Sequence, residues 1–81
     1  MGKDEILELI PDSAKDLYGI EIGESRFTGN YFINFRGKNV VVFLDRILSI
    51  ENNDGWLQVR IDRYVSIILN IYFDCFILTV V

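Results

Sequence analysis

Hydrophobic positions in the first part of the chain recur with the period of an amphipathic helix over residues 3–18. The apolar side consists of Ile6, Leu7, Ile10, Ala14, Leu17 and Tyr18. The opposite side carries five carboxylates, Asp4, Glu5, Glu8, Asp12 and Asp16. Pro11 lacks a backbone donor and disfavours helix at the residue before it. The pattern therefore predicts a kinked helix or two short segments in line, ending at Gly19.

From Ile20 onward the period changes to two, which is typical of strands with one buried face. Within residues 26–36 we expect Phe27, Tyr31, Ile33 and Phe35 to point inward. The alternate set, Arg26, Thr28, Asn30, Phe32, Asn34 and Arg36, points outward. Gly37-Lys38-Asn39 predicts a hairpin turn. The apolar run at residues 40–44 then predicts a central strand covered on both faces.

A second hairpin is predicted around residues 52–55. Asp45-Arg46 interrupts the preceding run as a bulge or bend, and a strand resumes over 47–51. In the turn Asn52-Asn53-Asp54-Gly55, the Asp-Gly pair suits the positive φ angles of a tight hairpin. The following strand, 56–62, alternates, with one set of residues inward (Leu57, Val59 and Ile61) and another outward (Trp56, Gln58 and Arg60).

The C-terminal run, residues 64–81, carries a single charge at Asp74 and permits three interpretations. Two strands that turn near Asp74 would explain a two-residue period, with Val65, Ile67, Leu69, Ile71 and Phe73 on one face and Ser66, Asn70 and Asp74 on the other. A buried helix and a membrane-spanning helix are the alternatives. We favour the strands, because a charge inside a membrane span costs roughly 2.5–3.5 kcal/mol.

These elements predict one α+β domain over residues 1–81. A kinked helical segment (3–18) would pack on an antiparallel sheet or a small, partly open barrel of about five to six short strands within 20–81. The hydrophobic content of 51% and the net charge of −4 argue against intrinsic disorder.

The residue inventory argues against several chemistries. The chain has no histidine, and Cys75 is its only cysteine. Histidine-based catalytic triads, zinc sites of the Cys and His types and an intrachain disulfide are therefore impossible within the chain. We expect Cys75 to be a small buried hydrophobe, and we predict no enzyme activity, catalytic residue, cofactor or metal. One unpaired cysteine without an export signal favours the cytoplasm.

The acidic helix side is the first candidate binding surface. Residues 1–24 carry a net charge of −5, largely from Asp4, Glu5, Glu8, Asp12 and Asp16. Such a face can dock on a basic protein partner by electrostatic complementarity, or it can serve only as a solvated face. The expected partner is another protein or a second copy, and the chain would act as an inhibitor, an immunity- or antitoxin-type partner or an assembly subunit.

The outward side of the strands is the second candidate. It combines arginines with aromatic rings at Arg26, Phe32, Arg36, Trp56 and Arg60. Single-stranded nucleic-acid binders stack bases on rings and follow phosphates with guanidinium groups. The alternatives are that the N-terminal helix or a second subunit covers these rings, or that they contact a protein partner. The negative net charge weakens the nucleic-acid hypothesis.

Overall fold

In the computed structural model, which describes residues 2–80, two helices precede seven strands. The helices are α1 (Lys3–Leu9) and α2 (Asp12–Tyr18). The strands are β1 (Ile20–Glu24), β2 (Tyr31–Phe35), β3 (Val40–Phe43), β4 (Ile47–Asn53), β5 (Trp56–Ile61), β6 (Val65–Asn70) and β7 (Phe76–Val80). They form two open antiparallel sheets, β1-β2-β3 and β4-β5-β6-β7. The predicted α+β class is confirmed, but the expectation of one sheet or a partly open barrel with five to six strands is wrong.

Pro11 divides the helical segment in two. Ile10 and Pro11 both have extended backbone angles, with ψ values of 116° and 151°. The Ile10 N–H still donates to the carbonyl of Ile6 at 3.2 Å, which closes α1. Gly19 ends α2 with φ +61°, as its position predicted, because glycine tolerates the left-handed conformation.

The two helices bury every fourth residue. Ile6, Ile10, Ala14 and Tyr18 are at most 2% exposed. Leu7 and Leu17, predicted on the buried side, are 39% and 40% exposed. The buried stripe of the helical segment is therefore narrower than the predicted apolar side.

Strand β2 begins later than the alternation over residues 26–36 predicts. Ile33 and Phe35 of β2 are fully buried, as predicted, but Phe27 is 98% exposed. The segment before β2 is a turn, in which the Gly29 N–H donates to the Ser25 carbonyl at 2.9 Å and Gly29 has φ +73°. The alternation predicted for residues 26–36 therefore includes residues that form a turn rather than a strand.

The apolar strand β3 lies at the edge of its sheet, so the prediction of a central strand at 40–44 is wrong. Only β2 pairs with it among the described residues. Val41 is 52% exposed and Phe43 is 39% exposed, whereas Val42 faces the core. A continuous apolar run cannot distinguish a covered strand from an edge strand. Asp45 and Arg46 lie in a 3₁₀ turn, Leu44–Arg46, which matches the expected bend.

The four-stranded sheet follows the sequence pattern more closely. Asp54 and Gly55 form the β4–β5 turn with φ values of +51° and +85°. Leu57 and Val59 are fully buried, as predicted. The C-terminal run forms β6 and β7 with a connection at residues 71–75, which confirms the two-strand interpretation. Within residues 2–80, neither helix has the length and apolar character needed to cross a membrane.

The inner faces of the two sheets meet in a shared core. The ring of Phe35 lies 5.4 Å from that of Phe76, which connects β2 to β7. The ring of Tyr18 lies 5.9 Å from Phe76 on the helix side. These contacts join the three-stranded sheet, the four-stranded sheet and α2 in one core.

Candidate interaction surface

The side chain of Asn70 holds the loop at residues 71–75. Its Oδ1 accepts a hydrogen bond from the Tyr72 N–H at 2.8 Å and another from the Phe73 N–H at 3.3 Å. Sequence alternation assigned Asn70 to an outward polar face, but only 3% of the residue is exposed. Asn is well suited to such turns because its side-chain oxygen can replace a backbone acceptor.

The hydroxyl of Tyr18 fixes the same loop from the side of α2. Its oxygen lies 2.7 Å from the Asn70 carbonyl, 3.0 Å from that of Phe73 and 2.9 Å from that of Cys75. The hydroxyl has one proton, so it donates to one of these carbonyls at a time. It also accepts the Cys75 N–H at 3.0 Å. The loop backbone is thus held from within β6 and from α2.

This fixed loop presents two aromatic side chains to solvent. Tyr72 is 77% exposed and Phe73 is 55% exposed. The Phe73 ring meets Trp56 edge to face, with centroids 5.8 Å apart and planes at 88°. The Tyr72 ring covers Gly55, where an added Cβ would lie 2.6 Å from a ring carbon. We call Trp56, Tyr72 and Phe73 the aromatic ridge.

Sequence reasoning placed only Trp56 of these three on a candidate surface. The predicted two-residue period places Phe73 on the same strand face as Val65 and Ile67, which is wrong because β6 ends at Asn70. Tyr72 was not singled out. The missed signal was Asn70 followed, after Ile71, by two adjacent aromatic residues, which is compatible with a side-chain-capped turn.

Carboxylates border the aromatic ridge. A shallow pocket of about 440 Å³ lies between α2 and the loop, and its lining includes Asp16, Leu17 and Tyr72. Asp54 directly precedes Gly55, the residue under the Tyr72 ring. Asp74 follows Phe73 and pairs with Lys38 at 3.0 Å. We call these three carboxylates, of which Asp74 is ion-paired, the acidic border.

The predicted acidic side of the helices is solvent-exposed but divided between two elements. Asp4, Glu5 and Glu8 lie on α1, and Asp12 and Asp16 lie on α2. Asp12 forms an ion pair with Lys15 at 3.0 Å. Of the five, Asp16 is the carboxylate that lines the pocket beside the aromatic ridge.

The predicted arginine and aromatic set is separated between the two sheets. Trp56 and Arg60 belong to β5 in the four-stranded sheet. Phe32 belongs to β2, Arg26 to the turn before it and Arg36 to the 3₁₀ turn after it. Trp56 and Arg60 therefore belong to a different sheet from Phe32.

Contacts within the three-stranded sheet engage two members of that set. Phe32 packs edge to face against Phe43, with ring centroids 5.9 Å apart, and its ring also lies over Gly23. Arg36 pairs with Glu21 at 3.1 Å. The outward position predicted for Phe32 thus corresponds to a half-buried ring held by its neighbours.

Two chemical features complete the description. In residues 2–80 no three His, Cys, Asp or Glu side chains come together as a metal site. Cys75, expected to be buried, is half-buried. Its backbone carbonyl oxygen lies 2.9 Å from the Tyr18 hydroxyl oxygen.

Comparisons of the chain with protein-family models, curated proteins and solved structures gave no match.

Proposed function

We propose that this chain is a non-enzymatic protein-interaction domain whose contact surface is the aromatic ridge. An inhibitor, an immunity- or antitoxin-type partner and an assembly subunit are the roles that fit such a domain. The observation that supports the proposal is the pairing of two exposed rings, Tyr72 and Phe73, with a loop backbone fixed by Asn70 and Tyr18.

Exposed rings on a fixed backbone favour protein binding for two reasons. Tyrosine and tryptophan are enriched among the residues that dominate binding energy, because each buries a large area with few rotatable bonds. Loop ordering normally opposes association, and a loop already held in place avoids most of that cost. The hydrogen bonds to Asn70 and Tyr18 provide this order before a partner arrives.

Charge indicates the chemistry of the partner. Asp16 lines the pocket beside Tyr72, Asp54 is the sequence neighbour of Gly55, and Asp74 is balanced by Lys38, while the whole chain has a net charge of −4. Complementary potentials accelerate association and exclude partners of the same sign. The partner surface should therefore have an apolar centre with a basic rim. This retains part of the acidic-face hypothesis, with Asp16 of α2 contributing rather than the α1 carboxylates.

Single-stranded nucleic acid is the second candidate ligand, supported by Trp56 and Arg60 on one strand. Trp56 is 37% exposed, which leaves part of its ring available for stacking. The acidic border opposes phosphate binding, because affinity for nucleic acid depends mainly on cations that neutralise phosphates. This alternative predicts weak, salt-sensitive binding to single-stranded oligonucleotides that is lost in Trp56→Ala and Arg60→Ala.

The main test compares capture of binding partners by the tagged wild type and by Tyr72→Ser/Phe73→Ser. Phe27→Ser is the matched control, because Phe27 is 98% exposed in the turn that connects β1 to β2 and is not part of the aromatic ridge. A specific protein that is captured by wild type and by the control, survives nuclease and is lost from the double variant supports the ridge. Equal capture by all three chains would refute it.

A charge test separates the two halves of the acidic helix side. Asp16→Lys should weaken binding to the captured protein, whereas Glu5→Lys on α1 should change it little. The opposite order would move the contact surface from the aromatic ridge to α1. Binding that disappears with nuclease would favour the nucleic-acid alternative.

A further inference from the structure

The free edge of β7 carries no charge. Its residues, Phe76, Ile77, Leu78, Thr79 and Val80, are all uncharged. Natural edge strands usually carry charged residues, proline or bulges that prevent another strand from pairing with them. Ile77, Leu78 and Val80 are 48%, 51% and 69% exposed. This edge therefore has the features of a strand that pairs with another chain.

The register shows which backbone groups of β7 are free. The Asn70 N–H donates to the Cys75 carbonyl at 3.1 Å, so residues 70 and 75 form a hydrogen-bonded pair. Hydrogen-bonded and non-hydrogen-bonded pairs alternate along an antiparallel ladder. Ile68–Ile77 and Ser66–Thr79 are then hydrogen-bonded pairs. The backbone groups of the alternate residues, Phe76, Leu78 and Val80, point toward the free edge.

The side chains of those same residues face the three-stranded sheet. Leu78 lies opposite Ile67, which is fully buried, yet Leu78 is half-exposed. Leu78 lines a groove of about 360 Å³, bordered on one side by β3 and on the other by Val65, Ile67 and Leu78. Most of its lining is apolar, and it also includes the ion pair of Arg46 with Asp62.

The groove and the free edge specify the same kind of occupant. A strand paired with β7 would place alternate side chains over the groove, where the apolar lining from β3, Ile67 and Leu78 favours apolar side chains. β7 itself meets this requirement with Phe76, Leu78 and Val80. Because it carries no charge, two copies of β7 can approach without like-charge contacts between the strands, although the whole chain is acidic.

We propose that two copies of this chain pair antiparallel through β7, with the two-fold axis at Leu78. In this register Leu78 lies opposite the partner's Leu78, and Phe76 lies opposite the partner's Val80. The free backbone groups of all three residues then form hydrogen bonds across the axis. The two four-stranded sheets become one continuous sheet, and the interface is the same patch on both copies.

The proposal is independent of the aromatic ridge. The ridge lies on the loop at residues 71–75 and on β5. The dimer contact uses the edge of β7 that faces away from β6. Tyr72→Ser/Phe73→Ser should therefore remain dimeric. A variant that loses partner capture but stays dimeric, or one that becomes monomeric but still captures the partner, would distinguish the two proposals.

The first experiment is light scattering coupled to size-exclusion chromatography on the full chain over a range of concentrations. The expected mass approaches twice 9.4 kDa as concentration rises. Leu78→Lys should shift the protein to monomer, and Thr79→Lys is the matched control with the same charge on the outer face of the same strand. A wild type that is monomeric throughout, or equal effects of the two substitutions, would overturn the proposal.

Disulfide trapping tests the register without disturbing charge. In a Cys75→Ser background, Leu78→Cys should form a cross-linked dimer, because hydrogen-bonded antiparallel pairs have Cα atoms about 5.5 Å apart, within disulfide range. Thr79→Cys should not cross-link, since its copy lies diagonally about 7–8 Å away. Efficient cross-linking only at position 79 would contradict a two-fold axis at Leu78.

Discussion

The hydroxyl oxygen of Tyr18 lies 2.7 Å from the backbone carbonyl oxygen of Asn70, which joins the last residue of α2 to the last residue of β6. Both residues are buried, at 0% and 3% exposure. Tyr18 contributes a hydroxyl and Asn70 contributes an amide oxygen to the same loop. The position of the aromatic ridge therefore depends on the end of a helix that is distant in sequence.

Removal of the Tyr18 hydroxyl should destabilise the fold. Tyr18→Phe keeps the ring contact with Phe76 but leaves the loop carbonyls and the Cys75 N–H without this partner. Loss of a buried hydrogen-bonding group costs about 1–3 kcal/mol. Urea unfolding should show this decrease in the free energy of unfolding. Tyr64→Phe is the control, because Tyr64 is 59% exposed and should change stability by less than about 0.5 kcal/mol.

Asn70→Ala should loosen the loop more than the sheet. The amides of Tyr72 and Phe73 lose their shared acceptor, whereas the β5–β6 ladder is unaffected because it uses backbone atoms. Hydrogen exchange measured by NMR should accelerate at these two amides by about tenfold, the equivalent of a 1.4 kcal/mol loss. Ser66→Ala, on the same strand, should leave their exchange unchanged. Equal acceleration throughout β5 and β6 would indicate general destabilisation instead.

Gly55→Ala should cost more stability than Gly29→Ala. Both glycines have positive φ, +85° and +73°, so each substitution carries the left-handed penalty of about 1–2 kcal/mol. At Gly29 an added Cβ meets nothing within 4 Å, whereas at Gly55 it would meet the Tyr72 ring at 2.6 Å. Thermal unfolding of the two variants isolates the additional cost of displacing the ring. Equal losses would mean that Tyr72 moves away freely.

Phe73→Ala should alter the fluorescence of Trp56. The chain has one tryptophan, so its emission reports on this site alone. Removal of the ring at 5.8 Å exposes more of the indole to water, and the emission maximum should move to longer wavelength. Phe27→Ala should leave the spectrum unchanged. An unchanged spectrum in Phe73→Ala would show that the two rings are not in contact in solution.

Local patterns predicted the elements whose turns and faces are encoded by neighbouring residues. Pro11 divided the helices and Gly19 ended α2, because each restricts or permits backbone angles by its own covalent structure. Asp54-Gly55 set the β4–β5 hairpin for the same reason. The alternation of Leu57, Val59 and Ile61 identified their buried face correctly, since it depends only on the two-residue period of a strand.

Patterns failed where the outcome depended on distant residues. The apolar run of β3 looked like a central strand, yet its position is set by which strands pair with it. Asn70 looked outward, but the turn of its own loop and the hydroxyl of Tyr18 enclose it. Phe73 kept the strand period in sequence, although the strand had ended.

Sequence patterns correctly predicted the α+β class, an interruption at Pro11 and the second hairpin, and they favoured two strands over a helix for the C-terminal run. The tertiary structure alone decided that the strands form two sheets, that Phe32 and Trp56 lie on different sheets, and that Trp56, Tyr72 and Phe73 meet. The physical reason is that backbone angles and side-chain periodicity are local properties of the chain. The pairing of strands and the enclosure of a loop depend on contacts between residues far apart in sequence, such as Tyr18 and Asn70.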